Sequence, residues 1–243
     1  INTTQAAVGA HFDNVLYRVD HPEEPFGIPT GFRDLDVMLG GLKRGELMIV
    51  AGRPGMGKSS LTLTMAMNAA RLGLRIGYVT LEMSAEATIN RALSIESGIN
   101  GKTLISSALD QNQLVRYIRA TKVVADLPIL FDDTPGLELK DFKANMTRTA
   151  AIYGLDMIVV DYLQLMSANG FGTNRVQELD AVTKGLREMA KALNVPVIAA
   201  AQLSRAVESR SDKRPMLSDL RESGAIENDS DIIVFLYRDS VYN

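Results

Sequence analysis

The 243-residue sequence contains no cysteine. This absence excludes disulfide bonds, thiolate zinc sites and cysteine nucleophiles, and it leaves no thiol chemistry to indicate a redox compartment. No run of about 18 apolar residues occurs, so no segment is expected to span a membrane. The first residues have neither a basic region nor an apolar core and therefore do not form a secretory signal. We expect a soluble, intracellular (cytoplasmic) domain, and a start at Ile1 instead of methionine indicates a fragment or a processed product.

An excess of positive charge is also missing. The 26 Lys and Arg residues face 29 Asp and Glu residues, which gives a net charge of −3. No bulk positive charge therefore announces a nucleic-acid partner, although a basic stripe can lie on a mildly acidic body. A composition of 46% hydrophobic and 23% charged residues excludes a disordered or fibrous chain.

Short apolar segments alternate with amphipathic ones from residue 46 onward, and this alternation predicts the fold. Continuous apolar strands separated by helices are typical of an α/β fold with a mostly parallel twisted sheet and helices on both faces. Ligands of such sheets bind beyond the carboxyl ends of the strands. The predicted strands are 46–52, 75–83, 128–133, 156–166, 195–203 and 231–238, and the predicted helices are 58–72, 85–97, 110–125, 138–153 and 175–193.

The N-terminal region has a different organisation. Residues 1–17 predict a short helix, and the prolines and glycine that follow predict a linker, so we divide the chain into a linker region, 1–25, and a main domain, 26–243. A helix this short is marginal in water and needs a surface to pack on. That surface is either its own domain or a neighbouring subunit.

The turn after the first predicted strand has a phosphate-binding pattern. It fits G-x-x-x-x-G-K-[ST] and lies between a predicted strand and a predicted helix. The glycines let backbone N–H groups close around phosphate oxygens, Lys58 reaches the β- and γ-phosphates, and the Ser59 hydroxyl binds Mg²⁺. The alternative is a glycine-rich turn that binds nothing. The predicted nucleotide-binding residues are Gly52, Arg53, Pro54, Gly55, Met56, Gly57, Lys58, Ser59 and Ser60.

Three polar residues follow other predicted strands. Asp161 is the expected second Mg²⁺ ligand, although a lone aspartate at this place is often a turn or cap residue. Glu82 is the predicted catalytic carboxylate that polarises the attacking water, or a charge near the next helix, which Ser84 would cap. Gln202 is predicted to bind the γ-phosphate and to report its loss to the next loop, or simply to cap its strand.

A charge-rich loop, residues 205–221, follows Gln202. Its five basic residues outnumber its three acidic ones, a net charge of +2 in an acidic chain. Such a loop is either solvated surface or a segment that tracks a phosphate backbone. No aromatic residue lies within it for bases to stack on. The predicted DNA-binding residues in and after this loop are Arg205, Arg210, Lys213, Arg214, Arg221, Glu222 and Gly224.

Several segments together resemble the bacterial replicative helicase family, DnaB. The segment Gly31–Leu42 is typical of the RecA-like superfamily at large, whereas the later segments discriminate. The resemblance covers residues 26–243, the family's C-terminal motor domain. The discriminating segments are Leu81-Glu82-Met83-Ser84, Val160-Asp161-Tyr162-Leu163-Gln164-Leu165-Met166, Gln202-Leu203-Ser204-Arg205, Asp212-Lys213-Arg214-Pro215, and Ser218 to Glu227 with Tyr237-Arg238-Asp239 after it.

This resemblance implies a RecA-like P-loop NTPase core that assembles into a hexameric ring. The ring is expected to hydrolyse ATP or another NTP with Mg²⁺, to translocate on single-stranded DNA and to unwind the duplex at the replication fork, with primase and a helicase loader as partners. Lys58, Ser59, Asp161, Glu82 and Gln202 match the family's nucleotide, metal, catalytic and sensing positions. Arg221, Glu222 and Gly224 match its DNA-holding segment, and residues 1–17 match its linker helix, which packs on the adjacent subunit.

The sequence differs from the family pattern at both ends. No collar domain precedes Ile1, and the sequence stops at Asn243, before the arginine finger that the family supplies to a neighbour's nucleotide. An arginine finger contributes about 10³–10⁵ in rate. We therefore expect this chain to bind nucleotide but to hydrolyse it poorly. A recombinase-type filament ATPase and a protein-only assembly or clock-type ATPase remain the alternatives.

Overall fold

A computed structural model describes residues 3–20, 26–106, 109–171, 174–220 and 224–242. The helices are α1 (Thr4–Asp20), α2 (Arg33–Leu39), α3 (Lys58–Arg71), α4 (Ala85–Ser97), α5 (Gly101–Ser106), α6 (Gln111–Ala125), α7 (Leu139–Tyr153), α8 (Arg175–Leu193) and α9 (Gly224–Asp229). The strands are β1 (Leu47–Gly52), β2 (Ile76–Thr80), β3 (Ile129–Asp132), β4 (Met157–Asp161), β5 (Val197–Gln202) and β6 (Ile232–Phe235). Short 3₁₀ turns lie at Leu163–Leu165, Arg205–Ser209, Leu217–Leu220 and Asp239–Val241.

The strands form one parallel sheet in the order β3-β2-β4-β5-β1-β6. Because β5 pairs with β1, Gly52 lies opposite Gln202 at the carboxyl edge. Because β4 pairs with β2, Asp161 lies opposite Thr80 at the same edge. The predicted α/β RecA-like fold is therefore confirmed, and the sheet brings together the ends of four strands that are far apart in sequence.

Both faces of the sheet are covered by helices. Leu47, Ile49 and Ala51 of β1 belong to a core formed with α7 and α8, whereas Met48 and Val50 belong to a core formed with α3. All five side chains are buried. Each fully buried large aliphatic side chain contributes roughly 1.5–3 kcal/mol by leaving water. These central strands therefore fix the carboxyl edge as a rigid platform.

The predicted strand 156–166 is wrong beyond Asp161. The chain leaves the sheet there and turns, with the Leu165 N–H donating to the Tyr162 carbonyl at 3.1 Å. Leu163 and Met166 remain buried in the core shared with α8. Apolar residues can fill a core from a turn as well as from a strand, so hydrophobicity alone extends the strand too far. Helices α2, α5 and α9 were not predicted.

The N-terminal helix predicted over residues 1–17 occurs as α1. Its apolar side chains Val8, Phe12, Leu16 and Val19 are between 47% and 69% exposed. They recur at three- and four-residue intervals and therefore lie on one face of the helix. Residues 21–25 of the predicted linker lie outside the described residues. No described helix has the length and apolarity needed to cross a membrane.

Candidate nucleotide site and adjoining basic segment

The turn between β1 and α3 has an open, cradle-like backbone. Gly55 and Gly57 have positive φ angles of 79° and 100°, which L side chains rarely adopt. A Cβ at either position would meet no atom within 4 Å, so the turn faces open space. The N-terminus of α3 begins at Lys58, and its free N–H groups and dipole favour an anion. The backbone therefore has the form required to hold phosphate.

The Lys58 side chain folds back onto this turn. Its Nζ donates to the carbonyl oxygens of Gly52, at 3.0 Å, and of Arg53, at 3.3 Å. Burial lowers the pKa of Lys58, and the nearby carboxylates of Asp161 and Glu82 oppose this shift. A partly desolvated ammonium with two weak carbonyl partners is available to a stronger anionic partner.

The polar residues from four strand ends meet at one cavity of about 310 Å³. Its lining residues are Pro54, Gly55, Gly57, Lys58, Ser59, Ser60, Glu82, Arg91, Tyr162 and Gln202. Most of the predicted nucleotide-binding residues are among them. Arg53 and Met56 are not, because their side chains are buried away from this cavity. Arg91 and Tyr162 had no predicted role, and no sequence signal short of the fold places Arg91 here.

Asp161 has the environment of a metal ligand. Its carboxylate is buried and accepts a hydrogen bond from the Ser59 hydroxyl. Burial raises the pKa of Asp161, and the Ser59 hydrogen bond opposes this shift. Among the described residues, its Oδ1 atom has no hydrogen-bond partner. A buried carboxylate oxygen without a partner is unfavourable, and Mg²⁺ prefers such hard oxygen ligands. Ser59 and Asp161 therefore fit the predicted metal.

Gln202 is held by its backbone. The Gln164 side chain donates to the Gln202 carbonyl at 3.0 Å and accepts from the Gln202 N–H at 3.1 Å. This pair of bonds anchors the end of β5 to the turn after β4, while the Gln202 side chain remains free to line the cavity. Gln164 is thus a positioning residue without a predicted role, and its only sequence signal is its place in the segment that resembles DnaB.

Glu82 lies two residues beyond β2, on the wall of the cavity. The predicted Ser84 cap is confirmed, since the Ser84 hydroxyl accepts from the Ala87 N–H at 3.2 Å. The cap fixes the start of α4 close to Glu82. The catalytic role of Glu82 stays a prediction, and its position is compatible with that role.

Three of the predicted DNA-binding cations have partners within the chain. Arg210 donates to both carboxylate oxygens of buried Asp219, at 2.9 and 2.8 Å. Lys213 lies 4.9 Å from the centre of the Tyr242 ring. Arg214 lies 5.7 Å from the Tyr237 ring. Arg210 therefore holds the loop together, which the sequence did not indicate.

The other predicted DNA-binding residues differ in what is known of them. Arg205 is exposed and makes no hydrogen bond or ion pair with any described residue. Gly224 begins α9. Arg221 and Glu222 lie outside the described residues, so their DNA-binding role stays a prediction.

A family model for the DnaB-like helicase C-terminal domain matches residues 27–243. The replicative DNA helicase DnaB of Geobacillus stearothermophilus is 43% identical over 96% of this chain and 52% of its own length. The replicative DNA helicase DnaC of Bacillus subtilis is 42% identical over the same shares. The chain thus spans about half the length of these curated relatives.

Two solved structures are also similar to this chain. The ATPase domain of G40P superposes with a TM-score of 0.90, at 32% identity over 97% of this chain and 85% of that one. A DnaB-like replicative helicase, studied for its interactions with primase, gives a TM-score of 0.89 at 32% identity, over 100% of this chain and 58% of that one.

Proposed function

Because this chain belongs to the family of DnaB-like helicase C-terminal domains, we propose that it is the ATP-driven motor domain of a replicative DNA helicase. The observation that carries the proposal is the convergence of the phosphate cradle, Lys58, Glu82 and Gln202 on one cavity, with a partnerless oxygen of Asp161 beside Ser59. These are the groups that phosphoryl transfer to water requires.

Each residue has a separate task in this proposal. The backbone of the cradle and the Lys58 ammonium bind the phosphates of ATP. Mg²⁺, when held by Ser59 and Asp161, would offset the negative charge that develops on the phosphates. Glu82 orients the attacking water and accepts its proton. Gln202 hydrogen-bonds the γ-phosphate, and its loss after hydrolysis reaches the following loop through β5.

DNA binding is assigned to the basic segment that follows β5. Exposed Arg205, Lys213 and Arg214, with Arg221, Glu222 and Gly224 farther along, would hold the phosphate backbone of single-stranded DNA. Phosphate contacts carry no base information, which suits a motor that tracks a strand without regard to sequence. Successive hydrolysis around a ring would move these segments along the strand and exclude its complement.

Assembly follows from the family and from the exposed apolar face of α1. A hexameric ring would bury that face against an adjacent subunit and bring a basic finger to each nucleotide. Primase is proposed as a partner because a similar structure was studied for its interactions with primase. A helicase loader and a cytoplasmic location are proposed on the family resemblance alone.

The first experiment titrates fluorescent single-stranded DNA with this chain, with and without β,γ-imido-ATP and Mg²⁺, at two salt concentrations. We expect binding that requires the nucleotide and falls with salt, with a slope of about −0.7 per phosphate contacted. Sizing under the same conditions establishes whether the chain has assembled. An assembled chain that binds nucleotide and ignores DNA would favour a protein-only ATPase, and an open helical filament would favour a recombinase.

Glu82→Gln tests the catalytic assignment. We expect turnover to fall by about 10²–10⁴-fold while affinity for β,γ-imido-ATP is retained, because the amide cannot accept the proton of the attacking water. Glu86→Gln is the matched control, since Glu86 is also exposed but lies in the first turn of α4 and does not line the cavity. Equal turnover in the two variants would remove Glu82 from the mechanism.

A further inference from the structure

Arg53 connects the phosphate cradle to the basic segment. It occupies the second position of the turn, yet its side chain is only 8% exposed and points away from the phosphate space. Its Nε donates to the Glu208 carboxylate at 2.9 Å, and a second guanidinium nitrogen donates to the Leu203 carbonyl at 2.8 Å. The planar guanidinium thus bridges two points of the chain about 150 residues away. The proximity of Arg53 lowers the pKa of Glu208, which keeps this carboxylate charged.

The segment that Arg53 holds is cross-linked within itself. The Ser204 N–H donates to the Asp219 carbonyl at 3.1 Å, and the Met216 N–H donates to the Asp219 carboxylate at 2.8 Å. The ion pair between Arg210 and Asp219 closes the same loop. Residues 203–220 therefore form one hydrogen-bonded unit, and a displacement at Leu203 or Glu208 reaches its far end.

The same two residues that hold this unit also hold Lys58. Its ammonium bonds the carbonyls of Gly52 and Arg53, and the Gly52 carbonyl accepts the Leu203 N–H at 3.3 Å. A phosphate that binds Lys58 competes for these bonds, because a charged acceptor is stronger than a neutral carbonyl. Phosphate occupancy therefore changes the bonding of Gly52 and Arg53, both of which are bonded to the segment.

We propose that Arg53 is a positioning residue which, through Glu208 and Leu203, transmits phosphate occupancy of the cradle to residues 203–220. The link is separate from Gln202, which reaches the segment along the strand. Its biological meaning, that ATP controls the grip on DNA, rests on the proposed function. The link itself is a property of this chain and is measurable without DNA.

Hydrogen exchange measures the link directly. We expect β,γ-imido-ATP with Mg²⁺ to slow exchange at the Leu203, Ser204 and Met216 amides of the unaltered chain by at least about fivefold, the lower end of typical coupling between sites. In Glu208→Gln, which cannot form the charged bond to Arg53, the nucleotide should still slow exchange in the cradle, but its effect on residues 203–220 should be lost. A merely structural role would change exchange equally with and without nucleotide.

Glu188→Gln is the matched control, because it removes an exposed carboxylate that pairs with Lys143 at 2.8 Å on the surface of α8. It should behave as the unaltered chain. The proposal is overturned if the segment of Glu208→Gln still slows fully, or if that variant loses protection of the cradle, which would place Glu208 in the nucleotide site. Thermal unfolding verifies that both variants are folded.

The two proposals fail in different ways. If the segment responds to nucleotide but the assembled chain binds no single-stranded DNA, the link stands and the helicase assignment fails. If DNA binding depends on nucleotide while residues 203–220 respond equally in Glu208→Gln and in the unaltered chain, the helicase assignment stands and the Arg53 link fails. Absence of nucleotide protection in the unaltered chain would overturn both.

Discussion

At the scale of single residues, Asp161 combines a chemical requirement with a structural cost. Its carboxylate is 4% exposed, one oxygen has no described partner, and burial raises its pKa. A raised pKa means that the fold disfavours the ionised form, so at pH values above that pKa the charge destabilises the nucleotide-free chain. This cost is relieved as the pH falls through the folded-state pKa toward the unfolded-state value.

Asp161→Asn should therefore stabilise the nucleotide-free chain while it removes Mg²⁺-dependent hydrolysis. We expect the free energy of unfolding to rise by about 1 kcal/mol at neutral pH, as is common when a functional charge is neutralised. Thermal melts across pH measure this effect, and the gain over the unaltered chain should shrink toward acid. A loss of stability at neutral pH would contradict this explanation.

Arg205 and Arg210 are close in sequence but should respond differently to alanine. Arg205→Ala should weaken binding of single-stranded DNA and reduce the salt slope by about 0.7, the share of one phosphate contact. Arg210→Ala should instead lower the free energy of unfolding by about 2 kcal/mol, because charge-assisted bonds to buried Asp219 are lost. Salt titrations and denaturant unfolding of both variants separate the roles, and equal effects would contradict them.

At the scale of elements, α6 shows how local sequence sets a helix boundary. The helix was predicted to start at residue 110, and the structure gives Gln111–Ala125 with Asp110 as the N-cap. Asp110 accepts from the Gln113 N–H at 2.8 Å, and the Gln113 side chain accepts from the Asp110 N–H at 3.0 Å. This reciprocal capping box satisfies two backbone donors that the helix itself leaves free.

Asp110→Ala should lower the free energy of unfolding by about 1 kcal/mol, because both bonds of the box depend on this residue. ATP turnover should not change, since α6 does not line the nucleotide cavity. Asp126→Ala at the C-cap of the same helix is the control. It removes an acidic residue from the negative end of the helix dipole and should be neutral or slightly stabilising. Denaturant unfolding that ranks the two variants the other way would contradict the capping argument.

At the scale of the whole molecule, α1 is the part whose packing is incomplete. Its apolar face is about half or more exposed at Val8, Phe12 and Val19. Burying such side chains is worth roughly 1.5–3 kcal/mol each. An assembly that covers this face would gain that free energy once per subunit, which fits the proposed ring.

Phe12→Ser should therefore weaken assembly without changing the thermal stability of the main domain. Sedimentation velocity measures the oligomer across concentrations, and melting measures the domain. Asp13→Ser, on the polar side of the same helix, is the control and should assemble as the unaltered chain does. Unchanged assembly of Phe12→Ser would show that this face is not an intersubunit contact.

The sequence by itself determined what depends on local chemistry. The glycine-rich turn, the Ser84 cap and the strands β1, β2, β3, β5 and β6 are specified by a few neighbouring residues, because backbone conformation and burial follow short-range patterns. It also identified the polar residues at the strand ends, since parallel strands place those ends at one edge.

Only the tertiary structure decided which of these residues meet. Strand order places Gln202 beside Gly52 and Asp161 beside Thr80, and no spacing in the sequence specifies that order. The bonds from Arg53 to Glu208 join residues 155 positions apart. Arg210 appeared to be a free cation until the fold buried Asp219 next to it. Such pairings depend on the packing of the whole chain, because a charge has no partner until burial supplies one.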